Sequence, residues 1–261
     1  MNQYPTTPEQ YPQPPQPSVV RLSTPTVKPY ATYILLGLTV FIYLLQLAGN
    51  YLLKLDLVTA LGIKYNASIR QGELWRLITP VFLHDDSLPY GLLHIGFNMY
   101  ALFFYGRGLE ARFGHGRFLL LYFLSAYAGN VLSFVLTPNP SLGASTAIFG
   151  LLAAEGMFVF QNRQLLGSRA SRALMNVLYI AAINLFIGFT TTGVDNFGHL
   201  GGMLGGILFT WFGGPRWKVE GIYPTLSLVD EREGHGTLAG TIAVLLIFIP
   251  LTALGWIWVV K

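Results

Sequence analysis

The chain has 261 residues, of which 52% are hydrophobic and only 11% charged. Soluble domains carry about 25% charged residues, so this is the composition of a membrane protein. The net charge of +4 is spread between the hydrophobic runs, which argues against a nucleic-acid-binding surface, and the absence of cysteine excludes disulfides and thiol catalysis.

The N-terminal segment, residues 1–29, is polar and rich in proline. It lacks the charged region followed directly by a short apolar core that marks a signal peptide. A segment of this composition cannot bury enough apolar surface to fold alone. We therefore predict a disordered cytoplasmic tail.

Seven apolar stretches of the remaining sequence are candidates for membrane-spanning helices, which need roughly 20 apolar residues each. They lie near residues 31–49, 91–106, 117–136, 144–161, 173–190, 196–213 and 237–259. The sequence thus predicts an all-α membrane protein, a polytopic bundle of transmembrane helices.

The distribution of arginine and lysine predicts the orientation of this bundle. Arginines cluster between the second and third stretches and between the fourth and fifth, whereas the linkers 137–143 and 191–195 contain none. The N-terminus and the linker 214–236 are therefore predicted to be cytoplasmic. The long linker 50–90 would be extracellular and partly embedded, with Trp75 and Arg76 as anchors at the headgroup level.

Polar residues interrupt three of the apolar stretches. His94 and Asn98 lie in the second stretch, Ser145 begins the fourth, and His199 lies near the start of the sixth. A buried polar side chain in hydrocarbon is costly, so such residues are candidates for a functional site. These three stretches run in the same predicted direction, which brings the polar residues to a similar depth near the outer face, roughly 6 Å down for the histidines.

The chemistry of these groups suits nucleophilic acyl transfer. A serine hydroxyl needs a base to take its proton, and histidine is the usual base, so Ser145 would attack and His199 would act as base and then acid. His94 and Asn98 are four residues apart and share a helical face, from which both can donate to an oxyanion. The backbone N–H of Ser145, at a helix start, can add a third donor.

Neighbouring residues have simpler interpretations. Gly198, Gly202 and Gly206 recur at every fourth position and would let another helix pack closely, pressing Ser145 against His199. Asp195 precedes His199 by four residues; it is a possible third member of the site, but a helix cap explains it better. Glu155, inside the fourth stretch, is best explained by a partner near the cytoplasmic side.

With these residues in place, the chain resembles the rhomboid family of intramembrane serine proteases. The resemblance covers about residues 31–213 and rests on motifs within 71–84, 94–98, 108–114, 143–151 and 184–202. It implies that Ser145 is the nucleophile and His199 the base of a two-residue dyad, and that His94 and Asn98 contribute to the oxyanion site. One departure stands out, because Thr146 follows the serine where the family usually has glycine, which could narrow the oxyanion pocket.

The resemblance also implies an organisation and a set of partners. The domains would be a tail (1–29), a catalytic six-helix domain (30–213), a cytoplasmic linker (214–236) and an additional C-terminal transmembrane helix (237–261), the family's six-plus-one form. The family cleaves transmembrane protein substrates near their ends, without metal or other cofactor, and entry involves the region 173–195. The location would be a prokaryotic plasma membrane.

Two other classes of function remain open at this point. A rhomboid-like protein that is catalytically weak or inactive would still bind transmembrane helices, and Thr146 is the feature that favours it. A transporter or proton pathway would need polar residues through the full depth of the bilayer, or internal repeats. Two histidines with no nearby acid except Asp195 fit a metal site poorly.

Overall fold

The computed structural model describes residue 22 and residues 26–257, and this part of the chain is mostly helical. The predicted tail of residues 1–29 falls almost entirely outside it. The α-helices are α1 (Tyr30–Leu47), α2 (Leu57–Gly62), α3 (Asn66–Arg70), α4 (Tyr90–Ala101), α5 (Arg107–Phe113), α6 (His115–Leu136), α7 (Ser145–Gln161), α8 (Arg163–Leu166), α9 (Ser168–Thr190), α10 (Asn196–Gly213) and α11 (Gly236–Ile257). Two π-helical turns, Ala48–Leu52 and Leu102–Gly106, continue α1 and α4.

Four helical stretches of the described chain are long and apolar enough to cross a membrane: Tyr30–Leu52, His115–Leu136, Ser168–Thr190 and Gly236–Ile257. The protein is therefore a helical membrane protein. The other three predicted spans also fold as helices, namely α4 with its π-helical turn, α7 and α10. These three helices carry the polar residues singled out from the sequence.

The centre of the structure is α10, whose glycines pack closely against both α6 and α7. A methyl group added to Gly202 would lie 2.0 Å from the carbonyl oxygen of Thr146. One added to Gly206 would lie 2.2 Å from the carbonyl oxygen of Gly150. Because atoms cannot approach so closely, only glycine allows the two backbones to touch here.

The segment between α1 and α4 is a compact structure built from α2, α3 and two 3₁₀ turns, Leu74–Leu77 and Thr79–Phe82. Arg76 is only 5% exposed; its guanidinium donates to the carbonyl oxygens of Ala60 and Ile63, both at 2.8 Å, and pairs with Glu73. The expectation that Arg76 anchors the loop at lipid headgroups is therefore wrong. Two of its nitrogens donate to carbonyls that the end of α2 leaves unpaired, and the third bonds to the carboxylate of Glu73.

The segment between α10 and α11 is not a plain linker. It contains an antiparallel hairpin of β1 (Trp217–Glu220) and β2 (Ser227–Asp230), so the prediction of an all-α fold needs correction. Trp217 packs edge-on against the ring of Phe158, with centroids 5.1 Å apart, and Arg117 of α6 pairs with Asp230. These contacts stabilise two strands that are too short to be recognised from their sequence pattern.

A fully buried carboxylate joins α5 to the start of α1. Glu110 accepts hydrogen bonds from the backbone N–H groups of Ala31 and Thr32, each at 2.7 Å, and from the Thr32 hydroxyl at 2.6 Å. Helix N-termini leave such N–H groups without intrahelical partners. Glu155, in turn, pairs with Arg112, which confirms that this acid has a partner.

Candidate active site

Ser145 and His199 lie in hydrogen-bonding contact. Ser145 is the first residue of α7 and His199 the fourth residue of α10. The hydroxyl oxygen of Ser145 is 2.9 Å from Nε2 of His199. His199 is 7% exposed, so its imidazole is shielded from bulk water, whereas Ser145 is half-buried. The site thus contains a serine hydroxyl next to a histidine nitrogen that is able to accept its proton.

The glycines of α10 account for this distance. Gly202 and Gly206 abut the carbonyls of Thr146 and Gly150, as described above, and a methyl group on Gly198 would lie 3.0 Å from Cγ2 of Thr146. All three face α7. The sequence singled them out for close packing, and in the structure they bring the helix of His199 against the helix of Ser145.

The imidazole of His199 stacks on the ring of Phe149, one turn after Ser145 on α7. The ring centroids are 4.1 Å apart and the planes are inclined by 10°. The sequence alone assigns no role to Phe149. Its position four residues after the serine was the available signal, since residues so spaced share a helical face.

His94 lies near the serine, beside Gly143. A methyl group built on Gly143 would be 3.1 Å from Nε2 of His94 and 3.6 Å from Oγ of Ser145. Gly143 also has a φ of +128°, which disfavours any other residue. His94 and Ser145 therefore border the same small space. The contribution of His94 to an oxyanion site stays a prediction.

Asn98 is buried on the same helix, one turn further along. Its Nδ2 donates to the carbonyl oxygen of His94 at 2.9 Å, a bond within α4. The second N–H of this amide takes no part in that bond. The contribution of Asn98 to an oxyanion site stays a prediction.

A third histidine, His84, supports the segment before Ser145. Nε2 of His84 accepts from the backbone N–H of Ala144 at 3.5 Å, and its ring centroid is 5.0 Å from that of His94. Burial, and then the neighbouring His94, lower the pKa of His84 to about 3. The imidazole is therefore neutral, as an acceptor nitrogen requires.

Asp195 caps α10 and does not orient the base. Its Oδ1 accepts from the backbone N–H of Gly198 at 2.8 Å, and its Oδ2 from the hydroxyl of Ser133 at 2.5 Å. Nδ1 of His199 is buried and has no hydrogen-bond partner within residues 26–257. The interpretation of Asp195 as a helix cap is confirmed.

Thr146 points away from this space. Its Cγ2 would lie 3.0 Å from a methyl group on Gly198 of α10, and its Cβ would lie 2.8 Å from one on Gly129 of α6. The side chain is 5% exposed, and its hydroxyl has no hydrogen-bond partner in the described part of the chain. The expectation that Thr146 narrows the oxyanion pocket is thus not supported, because glycines on α6 and α10 accommodate its volume.

Comparison with known proteins agrees with this architecture. The rhomboid domain model matches residues 71–216, more than half of the chain, and this stretch includes all of the site residues described above. The chain therefore belongs to the rhomboid family of intramembrane proteases, multi-pass membrane proteins that act as serine hydrolases. The resemblance inferred from the sequence is confirmed.

Individual relatives extend the comparison. The chain is 38% identical over 179 residues to rhomboid protease GluP of Bacillus subtilis (strain 168), covering 69% of this chain and 34% of that protein. It is 33% identical over 186 residues to the putative rhomboid protease YdcA of the same organism, covering 70% and 87%. Rhomboid-like protease 3 of Toxoplasma gondii is 39% identical over 152 residues, covering 56% and 54%. The match thus spans about a third of GluP and about half of the Toxoplasma protein.

Proposed function

We propose that the protein is an intramembrane serine endopeptidase that cleaves transmembrane segments of protein substrates by a dyad of Ser145 and His199. The observation that carries the proposal is the 2.9 Å contact between Oγ of the half-buried Ser145 and Nε2 of the buried His199. A serine is a weak nucleophile until an adjacent base can accept its proton. In this pair, Ser145 supplies the nucleophile and the buried His199 supplies the base.

The reaction would proceed in two halves. Ser145 Oγ attacks the substrate carbonyl carbon as its proton passes to Nε2 of His199, and the imidazolium then donates that proton to the leaving amine. Water attacks the acyl-enzyme in the second half, with His199 again taking and returning the proton. For Nε2 to accept, the neutral imidazole must carry its proton on Nδ1.

The tetrahedral intermediate needs donors for its negative oxygen. We assign this role to the backbone N–H of Ser145, at the start of α7, together with His94 and Asn98. The N-terminus of α7 favours negative charge, and its first N–H groups have no partners within the helix. Removing one donor of this type costs on the order of 3 kcal/mol of transition-state stabilisation in enzymes with comparable sites.

The proposed setting is a bundle of six core transmembrane helices with α11 as the seventh, and with the N-terminus in the cytoplasm. In this topology the dyad lies near the outer face of the bilayer. A prokaryotic plasma membrane is the proposed location, which the two relatives from Bacillus support. Substrates would enter beside α9, whose apolar side chains are largely exposed, among them Phe186 at 69% and Phe189 at 71%.

Labelling with a fluorophosphonate probe followed by peptide mapping tests the nucleophile. We expect the wild-type protein to be labelled on Ser145, and Ser145→Ala to lose the label. Persistent labelling of Ser145→Ala would remove the assignment. Cleavage of a model transmembrane substrate by His199→Ala at an undiminished rate would remove His199 as base.

A rhomboid-like protein that binds transmembrane helices without cleaving them is the second candidate, and it rests on Thr146 at the position after the serine. Replacing Thr146 with glycine distinguishes the two. An enzyme already competent with threonine should gain little activity, because this side chain points toward Gly129 and Gly198. If cleavage is absent with threonine and appears with glycine, the natural protein is the binder.

A further inference from the structure

The outer end of α11 makes specific contacts with the segment between α1 and α4, far along the chain. The indole Nε1 of Trp256 donates to the carbonyl oxygen of Arg70 at 3.0 Å, and Nε of Arg70 donates back to the carbonyl oxygen of Gly255 at 3.1 Å. Two hydrogen bonds in opposite directions thus join α11 to the last residue of α3.

An aromatic ring of α6 fills the centre of this junction. Phe134 is fully buried, with the indole of Trp256 edge-on at 6.1 Å and the guanidinium of Arg70 5.1 Å from its centroid. A methyl group on Gly255 would lie 2.3 Å from this ring. α11 therefore fits the end of α3 and α6 closely at this one position.

The other end of α3 grips the loop that leads to the nucleophile. Asn66, its first residue, donates through Nδ2 to the carbonyl oxygen of Thr137 at 2.9 Å. The ammonium group of Lys64 donates to the carbonyl oxygen of Asn139 at 2.7 Å, and the backbones of Lys64 and Ser141 exchange hydrogen bonds of 3.0 and 3.2 Å. The short helix α3 thus connects α11 to the chain immediately before Gly143 and Ser145.

We propose that α11 is a brace for the nucleophile loop, residues 137–144, and that Trp256 and Arg70 are positioning residues for Ser145. The route runs from Trp256 through Arg70 and α3 to Lys64 and Ser141. This gives a function to the helix that follows the six core helices. The proposal rests on the proposed function in so far as Ser145 is the nucleophile, whereas the brace itself is a property of the fold.

Hydrogen–deuterium exchange of the full-length protein in detergent micelles tests the brace without reference to activity. In Trp256→Phe, which keeps an aromatic ring but loses the indole donor, we expect amide exchange within residues 137–144 to rise about threefold to tenfold, as for the loss of one neutral hydrogen bond. Trp211→Phe is the matched control, since this tryptophan lies on α10 with its side chain 45% exposed. Unchanged exchange in 137–144, or an equal rise throughout α6 and α10, would overturn the proposal.

Cleavage rates of the single variant and of a double variant test the proposal a second time. Trp256→Phe should lower kcat by a similar factor, with KM unchanged, because only the placement of Ser145 is altered. Here kcat is the cleavage rate divided by the number of sites that react with the serine probe. In a Lys64→Met background, the hydrogen bond from Lys64 to the carbonyl oxygen of Asn139 is already lost, so Trp256→Phe should have a smaller effect. Fully additive effects would contradict a shared route. If Trp256→Phe raises exchange in residues 137–144 as expected, but the wild-type protein is not labelled on Ser145, then the proposed function is refuted and the brace is not.

Discussion

Phe149 lies flat against His199, with ring centroids 4.1 Å apart and planes nearly parallel. Nδ1 of His199 has no polar partner within residues 26–257. In the proposed mechanism, the stacked ring would take over part of the orienting role that a carboxylate has in serine hydrolases with a triad. The dyad is therefore held by packing as well as by hydrogen bonding.

Replacing Phe149 with leucine should lower kcat by about tenfold with a smaller effect on KM, since a misplaced base costs the proton transfer more than substrate binding. Steady-state cleavage of a model substrate, with the folded fraction measured by thermal melting, checks this. Phe160→Leu is the matched control, because Phe160 lies on the same helix against Trp211, away from the dyad. Equal losses in both variants would contradict an orienting role.

Asp195→Asn should keep a cleavage rate near that of the wild type at neutral pH, because the carboxylate caps α10 rather than hydrogen-bonding to His199. Asparagine is also a good cap, whereas Asp195→Ala should lower stability by about 1 kcal/mol. Thermal melting and pH–rate profiles of both variants provide the measurements. A loss of cleavage rate of a hundredfold or so in Asp195→Asn, with stability unchanged, would show that Asp195 orients the base.

Thr146→Val should stabilise the protein by about 1 kcal/mol. The Thr146 hydroxyl is buried without a hydrogen-bond partner among the described residues, and valine has nearly the same shape without a polar atom to satisfy. Thr146→Gly, by contrast, should destabilise it, since it leaves a gap beside Gly129 and frees the backbone at the start of α7. If valine lowers the melting temperature, the hydroxyl has a partner that this interpretation lacks.

Stability should rise as the pH increases from about 8 to 10.5, through Lys64. Burial lowers the pKa of its ammonium group from 10.5 to about 8, so in this window the folded state has released a proton that the unfolded state still holds. Because the unfolded state then binds more protons, the free energy of unfolding increases with pH, by a few kcal/mol at most. Plots of melting temperature against pH for wild type and Lys64→Met should differ in slope over this window and have the same shape below pH 7.

The helices and the candidate dyad follow from the sequence because their signals are local. Apolar runs mark the helices, and the cost of burying Ser145, His94 and His199 in them marks the site. The inward turn of Arg76 and the docking of Trp217 are different, since each depends on carbonyls or rings contributed by distant segments. Phe149 and His84 are intermediate cases. The sequence shows that Phe149 lies four residues after Ser145, but nothing local distinguishes Phe149 from an ordinary packing residue or His84 from an ordinary loop residue.

The direct backbone contact of α7 with α10 has a consequence for the lipid environment. Gly202 and Gly206 meet carbonyls with no side chain between, so no rotamer change at these positions can adjust the spacing of α7 and α10. Bilayers of different thickness would tilt the outer helices, above all the largely exposed α9, while the central pair stays in register. Changes in turnover with lipid chain length should therefore reflect how substrates reach the site, and the rate at which a small serine probe reacts should stay constant.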